Sequence, residues 1–142
     1  MMKFKTFIIF IGLIITTLVG CTRHNGDIGE LFGSWRVTDI TIDDEPMSDY
    51  SGSLYFAFQS SVFSMTYINE ETHVRTATYA SWEYQDDDLL IDFCEPSFGP
   101  LQISGMQWGV NFVEVVEFKG DRLVMSYENP QSVRYTYTLQ KW

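Results

Sequence analysis

The sequence is short of the side chains from which metal centres, nucleophilic sites and nucleic-acid surfaces are usually built. Its 142 residues include two cysteines and two histidines with no short spacing among them, which excludes a zinc site of ordinary ligand pattern. Lys and Arg total nine against nineteen Asp and Glu, a formal charge of −10. A chain that acidic repels phosphate backbones, so nucleic acid is excluded as a partner, and charge does not draw it to anionic lipid. No Gly-rich phosphate loop, Gly-x-Ser-x-Gly or His-Glu-x-x-His is present, so neither an enzyme nor a cofactor is expected. Four prolines and ten glycines are too few for a disordered chain, while 45% hydrophobic and 16% aromatic residues can build a core. The length suits one domain and is too short for two of ordinary size.

The N-terminus is the exception to the lack of long apolar runs. Lys3 and Lys5 precede an uncharged stretch, residues 7–19, rich in Ile, Phe and Leu. This is the basic and apolar order of a secretory signal, too short for a comfortable membrane span. It closes on Leu18-Val19-Gly20-Cys21, which resembles the lipobox of bacterial lipoproteins. The resemblance implies a signal peptide over residues 1–20 and acylation at Cys21. Two or three chains of the palmitate type, at ~0.8 kcal/mol per buried CH₂, make a stable anchor. Thr22 stands where an acidic residue would mark inner-membrane retention, so the resemblance implies the outer membrane, on its periplasmic face. Residues 21–30 then form a polar tether. Without Lys3 and Lys5 the chain has seven cations against nineteen carboxylates, a formal charge of −12.

From residue 31 the pattern is that of a β-protein, with period-two alternation and no convincing 3.6-residue period. Strands are expected at 33–42, 53–59, 62–68, 74–84, 89–93, 112–118, 123–127 and 133–140. Trp35 and Val37 share one parity in the first strand and Ile40 and Ile42 the other, which predicts a bulge. Five connections are short turns, and Gly120-Asp121 suits a type II′ hairpin. Short turns force sequential antiparallel neighbours, and closing about eight such strands removes exposed edges. The expected fold is all-β, a single small antiparallel up-and-down β-barrel over residues 31–142. Two long connections remain, 43–52 and 94–109, the second with room for a short strand or helical turn near Leu101 and Ile103.

Leu31-Phe32-Gly33-Ser34-Trp35 resembles the Gly-x-Trp opening of the lipocalins, and a long first loop followed by a meander is also their order. Together with the lipobox, the chain is similar to short bacterial lipocalin-like lipoproteins. The resemblance implies that Gly33 and Trp35 plug the closed end of the barrel beneath a basic residue near the last strand, for which Arg134 is a loose match. The second, Thr-Asp-Tyr-like motif of that family is not present.

The chemistry-bearing residues read mostly as structure. Cys94 lies between Asp92 and Glu95, which raise a thiol's pKa, and His73 is its only plausible base, so a buried or half-buried structural thiol is expected. The acidic clusters Asp43-Asp44-Glu45, Glu70-Glu71 and Asp86-Asp87-Asp88 fall at turns and read as solvated acids. A transmembrane barrel is disfavoured, because Tyr135, Tyr137 and Leu139 lead in phase to Lys141 and leave Trp142 out of phase. On the fourth strand Thr76, Thr78 and Ala80 share a parity with Trp82 and Tyr84. If that face points inward, these five residues line a ligand space with aromatics at one end; the alternative is an interior filled by side chains.

Two functions follow. One is an envelope-anchored protein binding a small apolar or amphipathic ligand. The other is an acidic interaction or inhibitor module for a basic protein partner, its encounter speeded by charge. The anchor is directly testable. An acyl-chain analogue should label the wild type and not Cys21→Ala, which should accumulate as unprocessed precursor; equal labelling of both excludes the lipoprotein reading.

Overall fold

Period-two alternation resolves into strands that follow one another round a ring. The computed structural model describes residues 29–86 and 88–142; the signal peptide and Cys21 lie outside them. The strands are β1 (Gly33–Ile42), β2 (Glu45–Pro46), β3 (Leu54–Gln59), β4 (Val62–Ile68), β5 (Arg75–Gln85), β6 (Asp88–Phe93), β7 (Gly109–Lys119), β8 (Arg122–Glu128) and β9 (Arg134–Lys141). A single 3-10 turn, Gln102–Ser104, interrupts the β6–β7 connection. Every pairing is antiparallel, β1 pairs with both β3 and β9, and the eight long strands close into a barrel. The expected fold class is what the chain adopts. The two-residue β2 is an addition that alternation could not reveal; it folds back on the top of β1, Thr41 opposite Pro46.

The phase change in β1 is a bulge. Val37 lies opposite Leu139 and Asp39 opposite Thr138, so Thr38 is the extra residue. Its hydroxyl donates to the Thr138 carbonyl at 3.1 Å, and the insertion lets Trp35, Val37 and Ile40 all face the core. A second bulge between Val115 and Glu117 in β7 turns Val116 outward, 56% exposed. The β7–β8 hairpin has Gly120 at φ +55° between paired Lys119 and Arg122, the conformation a two-residue turn needs in its first position.

Inward positions are apolar and tightly filled toward one end. Phe58 meets Trp82 edge-on at 5.1 Å, Phe56 and Phe58 each meet Phe63 at 5.2 Å, and Phe56 meets Tyr137 at 5.4 Å. Such pairs each add about 0.5–1.5 kcal/mol beyond their burial. An apolar interior is the reverse of a channel-forming transmembrane barrel, whose lumen is polar.

The sealed end is built on Trp35, which is fully buried. Its indole N–H donates to the Leu31 carbonyl at 2.9 Å, Phe118 meets its ring edge-on at 5.8 Å, and the Lys141 ammonium sits 4.5 Å from its ring centroid. Lys141 also donates to the Phe32 carbonyl. The residue over the tryptophan is therefore Lys141, which corrects the loose match to Arg134. Arg134 begins β9 at the opposite end of the barrel, exposed and 3.8 Å from Glu128. Gly33 explains its own place in the motif: it lies at φ +114°, and a Cβ there would come 2.9 Å from the Lys141 ammonium.

Residues 31–141 contain every buried apolar side chain and both strands of the closing seam among the described residues. A chain beginning at Thr22 therefore keeps the barrel's core. In that protein Trp35→Ala should cost about 3–5 kcal/mol in urea unfolding, as other buried aromatic truncations do; a loss below about 1 kcal/mol would show that Trp35 is peripheral.

Candidate functional site

Strand direction decides which end is open. β1 leaves the sealed end at Gly33 and reaches the other rim at Ile42, so the mouth is formed by the connections 43–53, 69–74, 94–108 and 129–133. The third of these is long enough to fold back over the opening, and it does. Ser104 is fully buried beneath the rim, and Leu101, Ile103 and Met106 pack on the core.

Three attachments hold this loop down. The Tyr137 hydroxyl, rising from the inner face of β9, donates to the Ser104 carbonyl. Gly105, at φ +72°, lies so close to the Tyr135 ring that any side chain there would collide with it. Asn111, 1% exposed on β7, staples the descending limb: its amide donates to the Gln107 carbonyl at 2.9 Å and the Gly109 carbonyl at 3.2 Å, and its oxygen accepts the Gln107 N–H at 3.0 Å. Ser104 tightens the 3-10 turn, donating to the Leu101 carbonyl at 2.7 Å.

The loop seals the β7–β8–β9 side of the mouth and leaves the β4–β5 side open. There a cleft of about 320 Å³ is lined by Tyr67, Thr76, Leu101, Gln102 and Ile103. Thr76 lies opposite Tyr67, and one inward step down β5 Thr78 lies opposite Met65. The wall then continues through Ala80 to Trp82. Of the five residues expected on this face, Thr78, Ala80 and Trp82 point inward at 4%, 8% and 8% exposure. Thr76 is at the cleft. Tyr84 departs from the set: it is 51% exposed near the sealed end, its ring against Trp82 at 5.5 Å, because β5 has run past the core there.

Among the described residues, three buried polar atoms have no hydrogen-bond partner within the protein: Thr78 Oγ1, Trp82 Nε1 and Tyr127 Oη. Two lie on the β5 wall, and Tyr127 comes from β8, three strands away round a ring of eight. Burial raises the pKa of Tyr127, with nearby Tyr135 adding to the effect. Burial also pushes Tyr137 well up, and Tyr50 up to about 12. Tyr50 ties down the 43–52 connection, donating to the Val37 carbonyl and accepting the Leu54 N–H.

The rim is acidic. Asp43, Asp44, Glu45 and Asp49 lie on the first connection, Glu70 and Glu71 on the β4–β5 turn, Glu95 on the capping loop and Glu128 at the end of β8, all exposed. Against these eight stand Arg75 and Arg134. Asp43 also has a structural task, its carboxylate accepting the Arg134 N–H at 2.9 Å. Cys94 is exposed, which corrects the expected burial: β6 ends at Phe93 and the thiol falls at the start of the capping loop. His73 is exposed in the β4–β5 turn at φ +56°.

Sequence reasoning placed the β5 wall but missed its partners. Tyr127 falls in the strand expected over 123–127, and nothing in the sequence marks its hydroxyl as unpaired. Leu101 and Ile103, apolar residues between Pro100 and Gly105, were the available sign that this loop buries itself.

A closed antiparallel barrel with a sealed end and a cleft at its mouth belongs to the class whose interior side chains just fill, or which holds one small ligand. The chain belongs to the lipocalin-like family: the model of the lipocalin-like domain matches residues 31–141. Its fold is similar to that of a lipocalin-like protein from Bacteroides uniformis, at 16% identity and TM-score 0.63, covering 80% of this chain and 100% of that one. It is also similar to an uncharacterized protein from Bacteroides eggerthii, at 16% identity and TM-score 0.58, with the same coverage. No curated protein matches the sequence.

The latch on the loop can be tested. Tyr137→Phe leaves the buried Ser104 carbonyl unpaired, which should cost about 1–3 kcal/mol and speed hydrogen exchange at Gly105 and Met106 while β3 and β4 stay protected. Alkali should act at the same place. A raised tyrosine pKa favours the fold fully below the ordinary value and is lost as pH climbs through the folded value. Unfolding should therefore set in only above about pH 10, with tyrosinate absorbance rising as the barrel opens; ionisation of all tyrosines in the folded barrel near pH 10 would contradict it.

Proposed function

We propose that this protein is a lipid-anchored envelope protein whose barrel takes up a small apolar or amphipathic molecule through the cleft between β4–β5 and the capping loop. One observation carries the reading: the cleft at the mouth is bordered by Thr76, the first of a face of β5 whose next inward residues, Thr78 and Ala80, are small. Sites for small molecules are concave, mostly apolar and placed at the mouths of β-barrels. The protein acts by binding and not by catalysis. Its anchor would be Cys21, in the outer membrane facing the periplasm. The described chain enters the barrel beside Leu31 and Trp35, at the sealed end.

A second reading, an interaction or inhibitor module, draws support from the rim, where eight carboxylates face two cations. The outward row Val110, Phe112 and Val116 beside Trp108, each 41–58% exposed, adds apolar surface. It predicts salt-sensitive association with a cationic protein such as a lysozyme and no saturable apolar ligand.

Titrating an apolar fluorophore into the chain beginning at Thr22 separates the two. Saturation at one site per chain, with a change in Trp emission, is expected. Thr76→Trp should obstruct the cleft without disturbing the core, and Ala80→Phe should occupy the wall at a folding cost of about 1–3 kcal/mol; both should abolish binding. Unchanged binding by both folded variants would exclude this site.

A further inference from the structure

The charges of the chain are unevenly spread. Residues 76–118, from β5 through β7, hold eight Asp and Glu and not one Lys or Arg. The same stretch carries seven of the eleven large apolar side chains exposed among the described residues. Single exposed apolar residues need no explanation, but a contiguous set marks a surface that meets something.

Register gathers these residues on one outer face. Phe112 on β7 lies opposite Leu90 on β6, and Leu90 opposite Glu83 on β5; one outward step nearer the mouth, Val110 lies opposite Asp92 and Asp92 opposite Ser81. Each alternates with buried residues of its own strand, so acid and apolar side chains interleave on the outside of the barrel. Rings complete the face toward the mouth. Tyr79 meets Phe98 edge-on at 5.2 Å, and a Cβ on Gly99 would come 2.5 Å from the Trp108 ring. Trp108 is nonetheless 55% exposed. Rings that are exposed yet held by their neighbours lose little freedom on binding. Among the described residues Glu117 pairs with Arg122 at 3.7 Å, whereas Glu83, Asp92 and Glu114 are in no ion pair.

Charge selects the occupant. A second copy would set eight acids against eight, and anionic lipid would be repelled in the same way. The eight long strands close on themselves and offer no free edge, so recognition falls to side chains. We propose that this outer face of β5–β7 docks a cationic amphipathic segment of another protein, its Lys or Arg meeting Glu83, Asp92 and Glu114 and its apolar side chains covering Trp108, Val110 and Phe112. Arginine suits both parts of the face, since a guanidinium takes a carboxylate and also stacks on an indole. The proposal rests on the interaction reading above and moves the contact from the rim to this face.

The test is an NMR titration of the chain beginning at Thr22 with a short peptide alternating Arg and Leu, at low ionic strength. Saturable shifts are expected at the amides of Asp92, Trp108 and Phe112, with affinity falling roughly tenfold at about 0.5 M salt. Peptides alternating Gln with Leu, or Arg with Ser, should each bind at least roughly tenfold more weakly, because the face asks for both charge and apolar cover. Phe112→Lys, at an exposed position, should weaken the Arg–Leu peptide by roughly tenfold. Asp44→Asn combined with Glu71→Gln on the rim should leave its affinity within about twofold. Shifts confined to the rim, with binding lost in the rim variant alone, would overturn the proposal while the interaction reading stands. No saturable shift with any of the peptides would overturn the proposal, and silence toward a lysozyme as well would overturn the interaction reading with it. A wild-type dimer that Phe112→Lys dissociates, or binding to phosphatidylcholine vesicles in place of the peptide, would give the face to another occupant and overturn the proposal too. The peptide comparison on the wild type does not depend on any variant folding.

Discussion

The barrel depends on one seam, the meeting of its first and last strands. Seven of the eight long-strand pairings join neighbours in sequence, most across turns a few residues long, and each of these can form locally. The pairing of β1 with β9 spans almost the whole domain and must be closed against the entropy of the intervening chain. What meets that cost is concentrated at the sealed end, where Trp35 on β1 is enclosed by Leu31, Phe118 and Lys141. The lysine bonds the chain entering β1 from the strand that ends the barrel, and the Trp142 N–H extends the seam by donating to the Ser34 carbonyl at 2.9 Å. Gly33 is needed because its backbone lies at φ +114°, where an L side chain is strained, with the lysine ammonium close by.

The two ends of the molecule are held by different forces. Near the sealed end, fully buried aromatic and aliphatic side chains interlock, and their stabilisation scales with apolar area removed from water. At the mouth, closure relies on hydrogen bonds from single residues, Tyr137 to Ser104 and Asn111 to Gln107, and on the fit of Gly105 against Tyr135. Each such bond is worth about 0.5–1.5 kcal/mol net, so the capping loop can open at far lower free energy than the barrel itself. Local opening of this kind is expected where a protein must admit something without unfolding.

Much of this was legible in the sequence, and the gaps have physical causes. Alternation in residues 54–59 marks the inward face because a strand's side chains alternate without ambiguity. The parity break between Val37 and Ile40 marked the bulge for the same reason. Lys141 could not be found, since a cation–π contact across the seam depends on how β1 and β9 register and not on any local pattern. Nor could the role of the capping loop, because its conformation is set by Tyr135, Tyr137 and Asn111, which lie on strands distant in the chain. β5 was read correctly as a small-residue wall but extended too far, since parity alone does not show where the core stops and Tyr84 becomes exposed.

The unpaired polar atoms are the place where this sequence departs from its own logic. Elsewhere the rules mostly agree: the interior is apolar, the acidic clusters fall at turns, and six of the seven described glycines sit where φ is positive. Thr78 and Tyr127 could be Val and Phe with no loss of shape, and a filled apolar interior would be more stable, because an unsatisfied buried group costs about 1–3 kcal/mol. Proteins carry such inconsistencies where function asks for them and compensate elsewhere. Here the compensation is visible in the aromatic packing around Phe56, Phe58 and Phe63. Two of the three unpaired atoms lie on β5, the strand whose outer end borders the cleft, and the third on β8. Unpaired groups scattered at random would have no reason to fall twice on the strand beside the cleft.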